Sequence, residues 1–558
     1  MKLGAFTFVL HTHMPYVRKA GRWPHGEEIL HEVMAESYVP LLNALNDLKS
    51  DGIEPRLTID LTPILLEQLA DADVKNDFEL YLEERLALAE AEIAAHDKRI
   101  EMHLSYLARW YRDWYANILS SFRDRYGRDL VGAFRQLGAA DNLDILTSAA
   151  THGYLPLFER DSTIYGQLKT GIESSRAFLG RAPRGVWSPE CGYRPAYMLE
   201  RRYKPGLETF FAELNLGYFF TDAHVITGGP IRLPRPSLTQ APEIRGAALP
   251  ARKFVVHADD RPEPKIRTTM RPYYAQAANV AVFGRDERTG QQVWSAAQGY
   301  PGDFVYREFH RRDSNSGLHY WRVTAANSDL SQKEFYDPYP AFNQVSMHAD
   351  HYVDLIRLMV RAQYYQTKER GIIVSCYDTE LFGHWWFEGV AWLKHVLRRL
   401  AESEDVELTT AGAYLEAHPP AQVLALPESS WGAGGNHSTW LNAETEWLWP
   451  LIHSAERAME ELVARHPAAE GDLQTVLNQA ARELLLMQSS DWPFLIATGQ
   501  AKEYASSRFH QHLARFNRLA AMAQRGTLDD TDRRFLDHVA ELDNPFSAID
   551  YRVFAGRE

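Results

Sequence analysis

Two segments of the chain place an acidic residue directly after an apolar run and beside aromatic residues. Residues 185–193 (GVWSPECGY) contain Glu190, and residues 372–386 (IIVSCYDTELFGHWW) contain Asp378. A carboxylate at the end of a buried strand either has an ion-pair or hydrogen-bond partner or takes part in binding or catalysis. Aromatic planes stack on sugar rings, while two carboxyl groups act on a glycosidic bond. The two segments together favour a sugar-processing site over the alternative, in which both acids cap helices and the rings fill the core.

Other polar residues end predicted strands in the same way. They are His11, His13, Asp60, His152, Asp222 and His224. In parallel β/α barrels, catalytic groups gather at the C-terminal ends of the strands. One hypothesis is therefore double displacement at a sugar, with Glu190 as nucleophile and Asp378 as acid/base. Glu380 is a rival for the acid role. His11, His13, His152 and His384 would hold the sugar hydroxyls and the carboxylates.

A second hypothesis from the same residues is metal-assisted hydrolysis. His11 and His13, with Asp60 or Asp378, resemble a divalent-metal site of the kind used by amide and ester hydrolases. Dinucleotide and phosphate-loop functions find no support, because no glycine-rich motif follows a predicted strand. No serine stands in a nucleophile-elbow sequence.

Composition narrows the class of protein. The formal net charge of −14 disfavours a nucleic-acid partner, and 14 Trp with 27 Tyr is typical of carbohydrate clefts. The two cysteines, Cys191 and Cys376, exclude a disulfide framework and favour a reducing cytoplasm. The N-terminal residues lead into a strand without a cleavable signal, and no apolar stretch approaches the ~20 residues of a membrane helix. We expect a cytoplasmic protein.

Strand-like and helical segments alternate along most of the chain. Predicted strands are Gly4–Leu10, Arg56–Leu61, Leu143–Thr147, Gly185–Ser188, Gly217–Thr221, Asn279–Phe283, Ile372–Tyr377 and Val406–Thr409. Seven or eight strands separated by helices predict a closed β/α barrel. We expect residues 1–415 to form this catalytic barrel, and residues 416–558 to form a C-terminal helical domain.

Two insertions interrupt the predicted barrel. Residues 64–126 contain neither Gly nor Pro and have helical periodicity, which predicts an inserted helical hairpin over about 73–130. Residues 228–272 are rich in proline and lack periodicity, which predicts a long loop.

Several of the residues quoted so far belong to a wider set of motifs. The set comprises His11–Val17 (HTHMPYV), Trp23–Glu28 (WPHGEE), Ala150–Tyr154 (ATHGY), Trp187–Tyr193 (WSPECGY), Val282–Asp286 (VFGRD), Val293–Ser295 (VWS), Gly299–Gly302 (GYPG), Tyr377–Trp386 (YDTELFGHWW) and Ser489–Phe494 (SSDWPF). With these motifs the chain resembles glycoside hydrolase family 57, and within it the 1,4-α-glucan branching enzymes, over almost its whole length.

The resemblance implies a (β/α)7 barrel with an inserted helical hairpin and a helical C-terminal domain. It implies Glu190 as nucleophile and Asp378 as acid/base, and it implies glucan contacts. The contacts are Arg285, Gly302, Trp431 and Asp491, with Trp23, Trp294 and Trp440 as stacking platforms. It implies no cofactor and no metal. The expected partner is an α-glucan such as amylose or glycogen, acted on by a monomer or homodimer in glycogen biosynthesis.

One departure from the family pattern leaves an alternative open. Branching members resemble one another in a mobile loop after a Thr-Asp-Ala-His segment, with a tyrosine that shields the intermediate. From Thr221 to Pro272 this chain has no tyrosine. Transfer exceeds hydrolysis only if water is kept from the intermediate. The alternative function is therefore an α-amylase or 4-α-glucanotransferase on the same scaffold.

Overall fold

The protein was studied as a computed structural model that describes residues 2–22, 24–140, 142–199, 201–228, 252–255, 257, 259–295 and 299–557. Most of the predicted loop 228–272 and the predicted platform Trp23 lie outside these residues. None of the helices in the described ranges combines the length and apolar character needed to cross a bilayer.

The strands of the described residues are short, as expected for a β/α protein. They are β1 (Gly4–Thr12), β2 (Leu57–Leu61), β3 (Leu143–Leu146), β4 (Gly185–Val186), β5 (Tyr197–Leu199), β6 (Arg202–Lys204), β7 (Tyr218–Thr221), β8 (Lys253–Phe254), β9 (Tyr273–Ala275), β10 (Ala281–Gly284), β11 (Ile372–Asp378), β12 (Val406–Leu408) and β13 (Val423–Leu424).

Helices separate most strands and fill the C-terminal region. They are α1 (Glu27–Val33), α2 (Val39–Ser50), α3 (Pro63–Ala70), α4 (Ala72–Arg99), α5 (Met102–Ser120), α6 (Leu130–Ala139), α7 (Asp161–Leu179), α8 (Leu207–Glu213), α9 (Ala223–Thr227), α10 (Glu287–Trp294), α11 (Pro338–Thr367), α12 (Gly389–Ala401), α13 (Ala411–Ala417), α14 (Leu448–Arg465), α15 (Gly471–Met487), α16 (Asp491–Thr498), α17 (Lys502–Arg525) and α18 (Asp530–Leu542).

Seven parallel strands neighbour one another in the order β1, β2, β3, β4, β7, β10 and β11, and β11 returns to β1. Two joins are made by single contacts. A parallel bridge between Thr147 and Val186 connects β3 to β4, and the Asp286 N–H donates to the Val374 carbonyl to connect β10 to β11. This ring of neighbours is the pairing that a (β/α)7 barrel requires.

The interior of the ring is filled by side chains at alternate strand positions. Val9, Leu146, Phe220, Phe283 and Val374 belong to one buried cluster, with one residue from each of five strands. Residues two apart on a strand face the same side, so the intervening residues face the surrounding helices. The apolar runs of the sequence are therefore buried on both faces, as in other parallel sheets.

Helices α4 and α5 pack against each other as an antiparallel pair between β2 and β3. The turn between them contains no glycine, and Ile100 takes the left-handed conformation (φ 60°) that ends α4. The helices from α14 onward share a buried cluster with the strands, in which Leu477 and Leu484 join Val186 and Phe219. The C-terminal helices therefore pack directly on the barrel. The boundary at 415/416 stays a prediction.

Candidate active site

Glu190 lies in a tight turn directly after β4, with a backbone φ of 62°. This left-handed conformation is uncommon for a residue with a side chain and concentrates at functional sites. The turn directs the carboxylate toward a segment from beyond the barrel. The indole Nε1–H of Trp431 donates to Glu190 Oε2 at 2.8 Å, and the Trp431 backbone N–H donates to the Glu190 carbonyl at 3.0 Å.

Ser490 holds the other carboxylate oxygen. Its hydroxyl donates to Glu190 Oε1 at 3.1 Å, and its oxygen lies 2.8 Å from Nδ1 of His152. One hydroxyl donates only once, so His152 carries its proton on Nδ1 and donates it to Ser490. Burial, then the charges of His13 and His11, lower the pKa of His152 well below its usual value, which keeps the ring neutral. Its Nε2 is buried without a partner in the described residues.

Burial raises the pKa of Glu190 to about 7, against the hydrogen bonds from Trp431 and Ser490 that lower it. The side chain is 15% exposed, so it is enclosed but reachable.

Asp378 ends β11 in register with His11 of β1. Burial raises its pKa well above the usual value, and the charges of Glu380 and Glu190 raise it further. The interaction with Glu190 places both acids in one electrostatic environment, although they are far apart in the sequence. Two interacting carboxyl groups with raised pKa values suit one acid and one base.

Glu380 differs from Asp378 in its surroundings. Its Oε1 accepts the hydroxyl of Tyr38 at 2.5 Å and the backbone N–H of His13 at 3.2 Å. Burial raises the pKa of Glu380 to about 7, although the Tyr38 hydrogen bond lowers it. These contacts engage one of its oxygens within the protein, so Glu380 is suited to hold a charge beside Asp378 rather than to protonate a substrate.

The strand β1 places two histidines beside the acids. His11 Nδ1 lies 2.7 Å from Asp60 on the neighbouring strand, and His13 Nε2 lies 3.0 Å from Asp491. His13 Nδ1 lies 3.1 Å from the Thr62 hydroxyl. The charge of His13 lowers the pKa of Asp491, against the effect of burial, so Asp491 is ionised at neutral pH.

The aromatic rings at this end of the barrel form a column. His13 stacks on His152 with 4.1 Å between ring centroids, His152 stacks on His11 at 4.8 Å, and His11 stacks on Trp187 at 4.8 Å. A packed column leaves each ring little rotational freedom, so the polar nitrogens keep fixed positions.

Arg285 is linked to Glu190 indirectly, because it contacts the ring of Trp431, which donates a hydrogen bond to Glu190. Its guanidinium forms two hydrogen bonds to the carboxylate of Asp222, at 2.9 and 3.2 Å, and lies 5.5 Å from the Trp431 ring. The Arg285 charge lowers the pKa of Asp222 to about 2, against the effect of burial. This ion pair fixes Arg285, and the cation supports the ring that holds the nucleophile.

His384 lies in a second buried network. Its Nδ1 is 2.8 Å from Glu36, whose other oxygen accepts Arg307 at 2.7 Å. Gly383 makes this approach possible, because a Cβ there would lie 1.9 Å from the Glu36 carbonyl oxygen and its φ is 103°. Only glycine fits both conditions.

The predicted sugar-stacking residues have different surroundings. Trp440 is 1% exposed and stacks on Tyr154 at 4.3 Å, while Gly432 covers its far edge. The stacking role predicted for Trp440 is therefore not supported, because the ring has no exposed face. Trp294 ends α10 beside Tyr377, with 6.3 Å between ring centroids. Gly302 ends the short turn Tyr300–Gly302.

The metal hypothesis is weakened by the hydrogen bonds of His13, because both of its ring nitrogens are already engaged. Three other ligand-type residues lie together in the described part of the chain, Glu483, His512 and Asp543, with ligand atoms within 4.8 Å of one another. His512 Nδ1 contacts Glu483 at 2.8 Å, and Arg515 pairs with Asp543. This cluster is an internal ion-pair and hydrogen-bond network of the C-terminal helices.

Ser490 and Glu36 are among the residues of the site that were not singled out from the sequence. Ser490 stands in a quoted motif, in which the family resemblance implied a glucan contact only for the neighbouring Asp491. Glu36 lies inside a helical segment, where a buried acid cannot be told from a solvated one by periodicity.

Two sequence-family models match the chain. The sequence model described as "Glycosyl hydrolase family 57" matches residues 7–427, and the one described as "1,4-alpha-glucan branching enzyme, C-terminal" matches residues 451–554. The first match covers more than half of the chain. The chain therefore belongs to glycosyl hydrolase family 57.

Individual relatives extend the match over the whole chain. The 1,4-alpha-glucan branching enzyme TK1436 of Thermococcus kodakarensis is 42% identical over 553 residues, which cover 98% of this chain and 78% of that protein. The crystal structure of TK1436 has a TM-score of 0.88 at 40% identity and covers 100% of this chain and 97% of that one. The alpha-amylase AmyC of Thermotoga maritima has a TM-score of 0.83 at 30% identity over 100% of both chains. These structures confirm the predicted α/β class with parallel strands and a helical C-terminal region.

Proposed function

We infer that this chain is a 1,4-α-glucan branching enzyme, which cleaves α-1,4 bonds and forms α-1,6 branches. The observation that carries this conclusion is the 42% identity to a branching enzyme over 98% of the chain. The match of residues 451–554 to the C-terminal region of branching enzymes supports it. The paired acids at the strand ends supply the chemistry.

The first half of the reaction breaks the donor bond. The ionised carboxylate of Glu190 attacks the anomeric carbon, and the glycosidic oxygen leaves with the proton of Asp378. The raised pKa of Asp378 supports this role, because burial and the neighbouring acids favour its protonated form. The hydrogen bonds of Trp431 and Ser490 hold both Glu190 oxygens in place for attack.

The second half forms the branch. Asp378, now ionised, removes the proton from a glucan 6-hydroxyl, whose oxygen attacks the anomeric carbon of the ester. The bond to Glu190 breaks, and its carboxylate is regenerated. Each cycle thus exchanges one α-1,4 bond for one α-1,6 bond and creates no reducing end.

The remaining predicted contacts are proposed to bind the glucan. Ionised Asp491 and the fixed Arg285 offer an acceptor and donors for sugar hydroxyls. His152 is proposed to act indirectly, by donating to Ser490, which in turn holds Glu190. Gly302 and Trp294 are proposed to contact glucose units farther along the chain.

Hydrolysis is the competing fate of the same ester. It remains a candidate because residues 221–272 lack a tyrosine and because AmyC, named as an alpha-amylase, shares the fold at 30% identity. Water attacking the ester would release one new reducing end per cleavage.

The deciding experiment incubates the protein with amylose and counts both products. α-1,6 linkages are measured by proton NMR, and reducing ends by a colorimetric assay. We expect new α-1,6 linkages to outnumber new reducing ends, and Glu190→Gln to form neither. Reducing ends without branches would instead establish a hydrolase.

The biological setting is proposed from the reaction and from the state of the cysteines. An enzyme that adds branches to α-glucan suits glycogen biosynthesis. Both cysteines are free and buried, in keeping with a cytoplasmic location. A monomer or homodimer stays a prediction.

A further inference from the structure

A polar cavity of about 270 Å³ has neither of the paired acids in its lining. It is bounded by the loop after β1, by one face of α17 and by the end of α18. Four cationic side chains line it, Arg18, Lys19, Arg508 and Arg515, against one carboxylate, Asp543. Its volume is near the lower end of the roughly 300–1,000 Å³ range of small-molecule sites. The space suits a small molecule, and its lining favours an anion.

One of the four cations around the cavity has no ion-pair partner in the described residues. Three of the four cations have carboxylate partners: Arg18 with Asp71 and Asp73, Lys19 with Asp73 and Glu541, and Arg515 with Asp543. Arg508 has no carboxylate within 4.0 Å among the residues that the structure describes. It is nevertheless only 5% exposed. A buried cation without a counter-charge is costly unless something compensates it.

Two hydrogen-bond donors at the cavity are also unused. The Nε–H of Arg508 and the hydroxyl of Tyr504 are buried without a partner in the described part of the chain. The other two nitrogens of Arg508 donate at 3.3 Å, to Gln511 and to the Tyr16 carbonyl, so they fix the guanidinium. These two donors therefore have no acceptor in the described part of the chain, and both residues line the cavity.

We propose that this cavity binds a small phosphorylated metabolite, with Arg508 and Tyr504 donating to its phosphate. Phosphate oxygens accept several hydrogen bonds at once and match the fork of an arginine. The polar side chains of Ser507 and Gln511 face the same cavity and suit the hydroxyl groups of a small polyol. The site would connect the loop after β1 to the C-terminal helices.

Titration calorimetry on the full chain tests the proposal with glucose 6-phosphate, inorganic phosphate, citrate and glucose as probes. We expect glucose 6-phosphate to bind at least tenfold tighter than glucose. Arg508→Gln and Tyr504→Phe should each weaken that binding by tenfold or more. At 100 times Kd the ligand should raise Tm by about 2 °C.

Two variants serve as controls, one for loss of folding and one for the loss of any arginine on the same helix. Tyr504→Phe removes a hydroxyl that has no partner, so the free protein should keep its Tm, and a loss of binding cannot be ascribed to unfolding. Arg525→Gln, on the same helix but paired with Asp532, is the matched control and should bind like the natural chain. Equal binding in Arg508→Gln and the natural chain would overturn the proposal, as would binding of citrate alone or of no anion.

Discussion

Ser490→Ala removes one of the two side-chain hydrogen bonds that hold the proposed nucleophile. The lost bond runs from the Ser490 hydroxyl to Glu190 Oε1 at 3.1 Å, while the bond from Trp431 stays. Hydrogen bonds to charged groups contribute about 1.5–3 kcal/mol, and 3.1 Å is long for a hydroxyl donor, which selects the lower figure. About 1.4 kcal/mol is tenfold in rate, so we expect kcat/KM to fall roughly tenfold.

The same change should move the pH profile in a definite direction. The Ser490 bond stabilises the ionised form of Glu190 and lowers its pKa. Its removal raises that pKa, by about one unit for roughly 1.4 kcal/mol. The acid limb of kcat/KM should therefore move to higher pH, with KM for amylose little changed because the lost bond does not contact glucan.

The assay is branch formation on amylose from pH 5 to 9. Ser175→Ala is a matched control, because Ser175 is equally buried and loses only its 2.8 Å contact with Thr147. Ser175→Ala should leave both the acid and the alkaline limb of the pH profile unchanged. If Ser490→Ala keeps kcat/KM within twofold and leaves the limb in place, Ser490 does not hold Glu190 and the reasoning is refuted.

Three further predictions concern the acids and their support. The natural enzyme should lose activity as pH falls through about 7, since Glu190 has that pKa and its protonated form cannot attack; full kcat/KM at pH 5 would contradict this. Glu380→Gln removes a charge that raises the pKa of Asp378, so the alkaline limb should move to lower pH in the same assay, and an upward shift would disprove the interaction. Trp440→Ala should lower the free energy of unfolding by about 3–5 kcal/mol, measured by denaturant titration, because the ring is buried against Tyr154. A loss below about 1 kcal/mol would show that the ring is not a packing residue.

The strands were predictable because their signal is local. All eight predicted strands have a counterpart, and β11 extends one residue past its predicted end to include Asp378. The strands that were missed have short or unusual pairings. β9 runs antiparallel to β10, and β5, β6 and β8 form a separate small sheet. Segments of two or three residues carry too few side chains for a periodic pattern.

In the C-terminal region, too, long elements were predictable from their periodic pattern and short ones were not. The sequence predicts helices over Glu444–Arg465, Asp472–Met487, Glu503–Arg525 and Asp529–Leu542, each within four residues of α14, α15, α17 and α18. Helix α16 was missed because it has only eight residues, among them Pro493. This short helix begins at Asp491, directly after Ser490. A short helix depends on tertiary packing for its stability, so its sequence pattern is weak.

The partners of the acids were the least predictable part of the site. Glu190 and Asp378 are recognisable from the sequence because they follow predicted strands. Trp431 and Ser490, in contrast, contact Glu190 from 241 and 300 residues away in the sequence. The burial of Trp440 was equally hidden, because a tryptophan in a glycine-rich loop has the same sequence signal whether it is exposed or stacked on Tyr154. Long-range packing decides between these outcomes, and one sequence does not contain it.

Trapping the glycosyl ester tests the central claim most directly. The Asp378→Asn variant is incubated with a maltosyl fluoride donor, whose fluoride leaves without protonation by an acid. The base that completes the second step is missing in this variant. The account predicts that the ester accumulates and that mass spectrometry of a peptic digest finds the maltosyl group on the peptide containing Glu190. The absence of an adduct, or an adduct on Glu380 or Asp491, would contradict it.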